Sequence, residues 1–368
     1  IDSYTAHVFS KPVNRAAGTA GVLDEVWRDV DMRGSDVGEF MRDGVTIAQI
    51  FGHAFGIVDI AASKAGGNGV TIRSLGDQLA AGVRPYVTWY SPMHVVDWEV
   101  DPFGRFSWLR TYESDPDAMR DRPGSRALNR ARYRTWYPDH YEIHVIGDSR
   151  TMACPYCGSE GVTDAGPNPA GRVPVEVLYA RRMPATVDPV GISTIEEIAL
   201  ADREIFNLMS QRQLLLYEQN FPFLAVPDQG GQISRLDLGI HRAFGFNSGA
   251  GGGAPVYVSP PAESVRVIDE QIASLMLQVR ASAGLSRGAS EQSVAARSGE
   301  ALLVETHDKG VMLRALAHEA EDFERRLWTL VSATVQQSFD SGYVGYPERY
   351  DVTRIGDDLE EVEKYLGL

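Results

Sequence analysis

Two stretches of this chain repeat apolar residues at helical spacing for longer than a compact domain is wide, and that feature limits the folds open to it. From Ser193, the residues Ile195, Ile198, Ala199, Ile205, Leu208, Met209, Leu215 and Leu216 recur as far as Glu218. At about 1.5 Å per residue such a helix is near 40 Å long. Ser193-x-x-Glu196 reads as a capping box at its start, and Pro222 stops it. A second pattern runs from Ser298 to Ser338. There Leu313, Leu316, Ala320, Phe323, Leu327, Leu330 and Thr334 form a stripe close to a heptad. Glu321/Arg325 and Asp322/Arg326 stand four apart and are expected on its exposed side. Long helices owe most of their stability to packing of an apolar face. A lone globule rarely covers several such faces, so the expectation is a homo-oligomer in which identical copies cover them.

The intervening segments are mixed. Asp36 to Ala54 reads as an amphipathic helix through Val37, Phe40, Met41, Ile47, Ala48 and Phe51. Gly56–Ile60, Arg84–Tyr90, Val95–Trp98 and Phe106–Tyr112 read as strands, rich in β-branched and aromatic residues. Tyr133 to Ile146 alternates, with Tyr141, Ile143 and Val145 on one face and Glu142 and His144 on the other. Thr151 to Arg172 reads as a loop, and Val173 to Arg181 as one more strand. Together these predict a small strand-rich unit over roughly 131–185. Phe223–Pro227 and Pro255–Val258 are further short strands. Ser259-Pro260-Pro261 opens a helix carrying Ile268, Ile272, Leu275, Met276 and Val279. The fold class is α+β.

Composition bounds the function. The chain has 368 residues, 43% of them hydrophobic, enough for a real core. It opens on Ile1 instead of Met, which reads as trimming or renumbering. The first 30 residues show no basic segment followed by an apolar run. No stretch approaches the roughly 18 to 20 consecutive apolar residues of a membrane helix, so a soluble protein is expected. Two Cys argue against a disulfide-stapled fold. Fifty acidic residues face 35 basic ones, a formal charge of -15. A protein that grips DNA shows the opposite balance. Arg is dense only over Arg120, Arg122, Arg126, Arg130, Arg132 and Arg134.

The order of segments resembles the portal proteins of tailed bacteriophages. The likeness is carried by Gly34-Ser35-Asp36 to Gly44 leading to Gly56-Ile57-Val58-Asp59, and by Arg84-Pro85-Tyr86 to Val96-Asp97-Trp98. It continues through Ser193-Thr194-Ile195 to Phe221-Pro222-Phe223-Leu224-Ala225, the strand Ala254–Val258, and Glu300 to Ala320-Glu321. It spans most of residues 30–335. The resemblance implies a mixed wing over residues 1–113, a first stem segment over 114–130 and a strand-rich clip over 131–188. It implies a second stem helix over 189–222 and further wing over 223–340, with a tunnel helix and loop near 280–298. Residues 341–368 would begin the crown.

The function it implies is that of a non-enzymatic virion protein. A ring of about twelve copies would form the channel for double-stranded DNA at one capsid vertex, assembled first in the host cytoplasm. Its partners would be further copies of itself, the major capsid protein, the terminase large subunit and a head–tail adaptor, with no membrane involved. Arg280, Ser282, Ser286, Arg287, Ser290 and Gln292 would line the tunnel; the alternative for Arg280 and Arg287 is a salt bridge between subunits. DNA that must slide needs weak contacts, which an acidic wall with few cations provides.

Local motifs point to little other chemistry. Gly249–Gly253 is followed by no Gly-Lys-Ser/Thr and precedes a strand, so it is no phosphate loop. Adjacent acid pairs such as Glu196/Glu197 point apart on a helix. Cys154-Pro155-Tyr156-Cys157 has the spacing of a thiol oxidoreductase but no helix behind it to lower a thiol pKa. Followed by Gly158, it also suits a zinc knuckle, with His140 and His144 as the further ligands a tetrahedral site needs. The bland alternative is a tight turn with two free thiols. No metal and no cofactor is assigned on sequence alone. The rival classes are a zinc-stabilised or thiol-redox enzyme, and another virion ring protein such as a head–tail adaptor.

Overall fold

The computed structural model describes residues 2–16, 21–60, 84–114, 131–148, 151–184, 186–220, 223–227, 243–246, 253–258, 263–282, 299–335, 344–348 and 350. The chain divides into two compact units: residues 1–194 with 306–368, and residues 195–305.

The first unit opens with α1 (Asp2–Val8), β1 (Asn14–Arg15), α2 (Gly21–Arg28) and α3 (Val37–Phe51). The Asp36 side chain caps α3 by accepting the Glu39 N–H at 2.9 Å. Gly52, at φ 89°, ends the helix in the left-handed region that favours glycine. β2 (His53–Ile60) then pairs antiparallel with β3 (Pro85–Tyr90) and with β9 (Val175–Tyr179) in the order β3-β2-β9. A second sheet runs β4 (Val95–Val100), β5 (Phe106–Ser114), β6 (Ala131–Trp136), β7 (His140–Val145) and β8 (Asp164–Pro167), antiparallel throughout. The strands expected to form a separate unit over roughly 131–185 instead join β4 and β5, and β2 and β3, in these two sheets. β5 is nine residues long, and β6 satisfies its free hydrogen-bonding edge along Leu109–Ser114. The two sheets meet over Phe55, Ile57, Leu109, Trp136 and Val175. A polar network also joins them: Arg134 and Tyr86 both donate to Asp59, at 2.6 and 2.8 Å, and Tyr90 donates to Glu113 at 2.8 Å.

The last long helix, α6, spans Gly299–Thr334, and β13 (Val344–Gly345) follows and pairs with β1. Its stripe meets a different fate from the one expected. Leu313, Leu316, Ala320, Phe323, Leu327, Leu330 and Thr334 are all buried inside the first unit. They pack with Phe40, Met41, Val45, Val87 and Leu178. At about 1.5–3 kcal/mol per large side chain, this burial stabilises the helix without a neighbouring copy. Trp89 stacks between Phe40 and Phe323, with ring centroids 4.8 and 5.0 Å away. Its indole N–H donates to the Phe40 carbonyl at 2.8 Å. Glu321 pairs with Arg325 as expected, but on a partly buried side, where Arg325 also donates to the Val344 carbonyl. Arg326 bonds Glu176 at 3.1 Å instead of Asp322. Glu324, with no exposed surface, accepts from Arg15, Trp328 and Tyr346.

At the exit from this unit the backbone of Gly191 crosses that of Gly52. A methyl on either residue would run into the other's carbonyl. The helix expected from Ser193 begins at Glu196, and the Ser193 hydroxyl donates to the Gln49 and Ile50 carbonyls, at 2.9 and 2.8 Å, closing the end of α3.

The second unit holds α4 (Glu196–Asn220), a small sheet of β10 (Phe223–Pro227), β11 (Ala243–Phe246) and β12 (Val256–Val258), and α5 (Glu263–Ser282). β10 lies between β11, parallel to it, and β12, antiparallel. The helices pack antiparallel. Ser282 donates to Glu197 at 3.2 Å, and Arg212 donates to Asp269 at 2.5 Å, so the end of α5 meets the start of α4.

Candidate functional site

Two features of the molecule are not explained by folding alone. The first lies on β7, the strand next to the β8 edge of the five-stranded sheet. Tyr137-Pro138-Asp139 turns the chain between β6 and β7, and Asn168 holds that turn by donating to the Tyr137 and Arg172 carbonyls, both at 2.7 Å. β7 then places His140, Glu142 and His144 on one face, two residues apart. The loop after β7 folds back on that face through the Met152–Val162 bridge. Within the loop Gly158 donates to the Cys154 carbonyl at 2.9 Å and Cys154 to the Ser159 carbonyl at 2.8 Å. The Ser159 N–H points at Cys157 Sγ, 3.5 Å away. Gly158 makes this tight turn at φ 81°.

The turn brings Cys154 and Cys157 against β7. One ligand-type atom from each of His140, Glu142, Cys154 and Cys157 lies within 4.8 Å of all the others. Glu142 is 3% exposed. It accepts from Cys157 Sγ at 2.8 Å and from Ser159 Oγ at 2.5 Å. Burial would raise its pKa, but hydrogen bonds from Cys157, Ser159, Cys154 and His144 outweigh that and hold it at about 2. Burial pushes the Cys154 thiol up, and Glu142 adds to the shift. A thiol held protonated beside a carboxylate is a poor nucleophile. His140 is 6% exposed at its side chain and stacks between Tyr137 and Tyr156. Its Nδ1 donates to Asp139 at 2.7 Å. Its Nε2 is buried without a hydrogen-bond partner and lies 3.8 Å from Glu142 Oε1.

Three of the four expected ligands come together. His140 and both thiols converge, but His144 does not join them. Its Nδ1 pairs with the Gly161 carbonyl at 3.2 Å and its Nε2 lies 3.6 Å from the outer oxygen of Glu142. Glu142 takes its place. The signal was present in the alternation His-x-Glu-x-His, where the acid shares the face of both imidazoles.

The second feature is the α4–α5 pair. Ala201 is the buried hydrophobic residue of α4, and α5 buries none of its residues. Yet Phe206, Met209, Leu214 and Tyr217 on α4 are each more than half exposed. Val267, Met276 and Leu277 on α5 and Tyr257 on β12 are exposed as well. Around them the two helices carry eight acidic residues against four arginines. Of the residues expected in a tunnel, Arg280 is exposed in the last turn of α5, and Ser282 is bonded to Glu197. Ser286, Arg287, Ser290 and Gln292 lie outside the described residues, as do Gly249–Gly252. Within the Arg-rich stretch, Arg134 is bound to Asp59 and Arg132 lies 3.4 Å from Glu113, so neither is free for phosphate. A cleft of about 600 Å³ in the first unit contains Glu176, already held by Arg172 and Arg326.

No family model matches this chain, and no curated protein matches it either. Among the described residues no helix is long and apolar enough to cross a membrane.

Proposed function

We propose that this chain is a structural subunit that assembles with its own copies into a closed ring. The ring is the portal channel of a tailed bacteriophage, through which double-stranded DNA is packaged and ejected. The terminase large subunit, the major capsid protein and a head–tail adaptor are its partners, and the chain itself carries out no catalysis.

The observation that carries this reading is the uncovered α4–α5 pair. Isolated helices gain little unless an apolar face is buried, and large apolar side chains left exposed on two adjacent helices suit an interaction surface. Side chains pointing several ways from a two-helix rod suit a neighbour on each side, as a heterologous ring interface supplies. The excess of acid over arginine on the same rods suits a wall that DNA passes without adhering. The order helix, three-stranded sheet, helix also supports moving the stem and clip of the resemblance. The stem becomes α4 and α5, and the clip becomes residues 223–258. The sheet formed by β4 to β8 then belongs to the wing.

Negative-stain electron microscopy of the purified full chain, with light scattering on the eluting peak, tests the reading. Rings of about twelve copies with a central hole are expected. A monodisperse monomer at micromolar concentration would sink it.

A further inference from the structure

The geometry points to a structural zinc site formed by His140, Glu142, Cys154 and Cys157. It stands whether or not the chain forms a ring.

Four donors of the types zinc takes converge from two segments, a strand and a tight turn. A tetrahedral site with Zn–S near 2.3 Å and Zn–N near 2.0 Å has ligand–ligand edges of about 3.3–3.8 Å. The cluster is already close to that size, and His140 Nε2 and Glu142 Oε1 stand 3.8 Å apart. Three of the four residues are buried. A buried imidazole nitrogen without a partner is a costly arrangement in a folded protein. Here that nitrogen faces two thiols and a carboxylate, and a cation at their centre satisfies it. The other nitrogen donates to Asp139, the carboxylate–histidine arrangement that orients zinc-bound imidazoles. The Ser159 N–H aimed at Cys157 Sγ would stabilise a thiolate.

Binding converts both thiols to thiolates and releases two protons to solvent. With two thiolates, the Glu142 carboxylate and a neutral imidazole around a dication, the occupied site carries a net charge of -1. Four protein ligands leave no open position, which makes the site structural and not catalytic. Its effect is to staple the 151–163 loop to β7.

The test is metal analysis and cobalt titration of the full chain, purified under reducing conditions and freed of metal. One equivalent of zinc should bind. Cobalt should give tetrahedral d–d absorption with a thiolate-to-cobalt charge-transfer band. Cys154→Ser, Cys157→Ser, Glu142→Ala and His140→Ala should each weaken zinc binding at least about 100-fold, and Asp139→Asn about 10- to 100-fold with the cobalt spectrum retained. His144→Ala should bind as the parent does. Absence of both zinc binding and the charge-transfer band in the parent protein overturns the site, and that measurement needs no variant to fold. Equal losses in His144→Ala and His140→Ala overturn the assigned ligand set.

Discussion

His53 shows how one residue sets a condition on the whole fold. It is buried beside Phe55 and Tyr179, and its Nδ1 accepts the Gly191 N–H at 3.3 Å. Burial holds the imidazole at about 4, against an ordinary 6.5. In that window the unfolded chain binds a proton that the folded chain refuses. This contribution to stability is complete above pH 6.5 and is lost as pH falls toward 4. Near pH 5 the loss is about 2 kcal/mol. In His53→Gln the gap in urea-unfolding free energy between about pH 7 and about pH 5 should narrow by that amount; an unchanged gap would clear His53 of the effect. Little at this scale was legible in the sequence. Glu324 interrupts no pattern that its helix displays, and its partner Arg15 lies 309 positions away. Only folding brings the two together. Glu142 was readable as part of an alternating strand, but its burial depends on a loop whose path no periodicity records.

Elements were easier to read than their surroundings. The stripe from Leu313 to Thr334 was plain in the sequence, since a near-heptad repeat has one structural meaning. What covers it was not plain, because an apolar face specifies burial and not the partner that provides it. The first unit's own strands and helices cover it, while among the described residues Phe206, Met209, Leu214 and Tyr217 on α4 stay exposed. That contrast yields a clean test. Phe206 is 70% exposed, so Phe206→Glu should leave the protomer's stability within about 0.5 kcal/mol. In a ring whose apolar faces join subunits, it should shift the eluting species from ring to protomer. A ring that survives this substitution together with Met209→Glu would show that α4 faces no neighbour.

In the proposed ring, charge and apolar contact would oppose each other. Each chain carries -15, and closing a ring gathers those charges around one axis. Raising the salt from about 10 mM to about 150 mM shortens the Debye length from about 30 Å to about 8 Å. The ring fraction at fixed protein concentration should therefore rise with salt, by light scattering. Rings that dissociate as salt is added would mean that ion pairs, not apolar faces, hold the subunits.

The crossing of Gly52 and Gly191 sets a different kind of limit. Two peptide backbones touch there with nothing between them, and Gly52 sits at a φ few other residues adopt. Neither position can acquire even the smallest side chain while its counterpart keeps its path. Descendants of such a chain could drift widely on the surface and in the loops, yet an alanine at 52 or 191 would mark a lineage that had rerouted its main chain there.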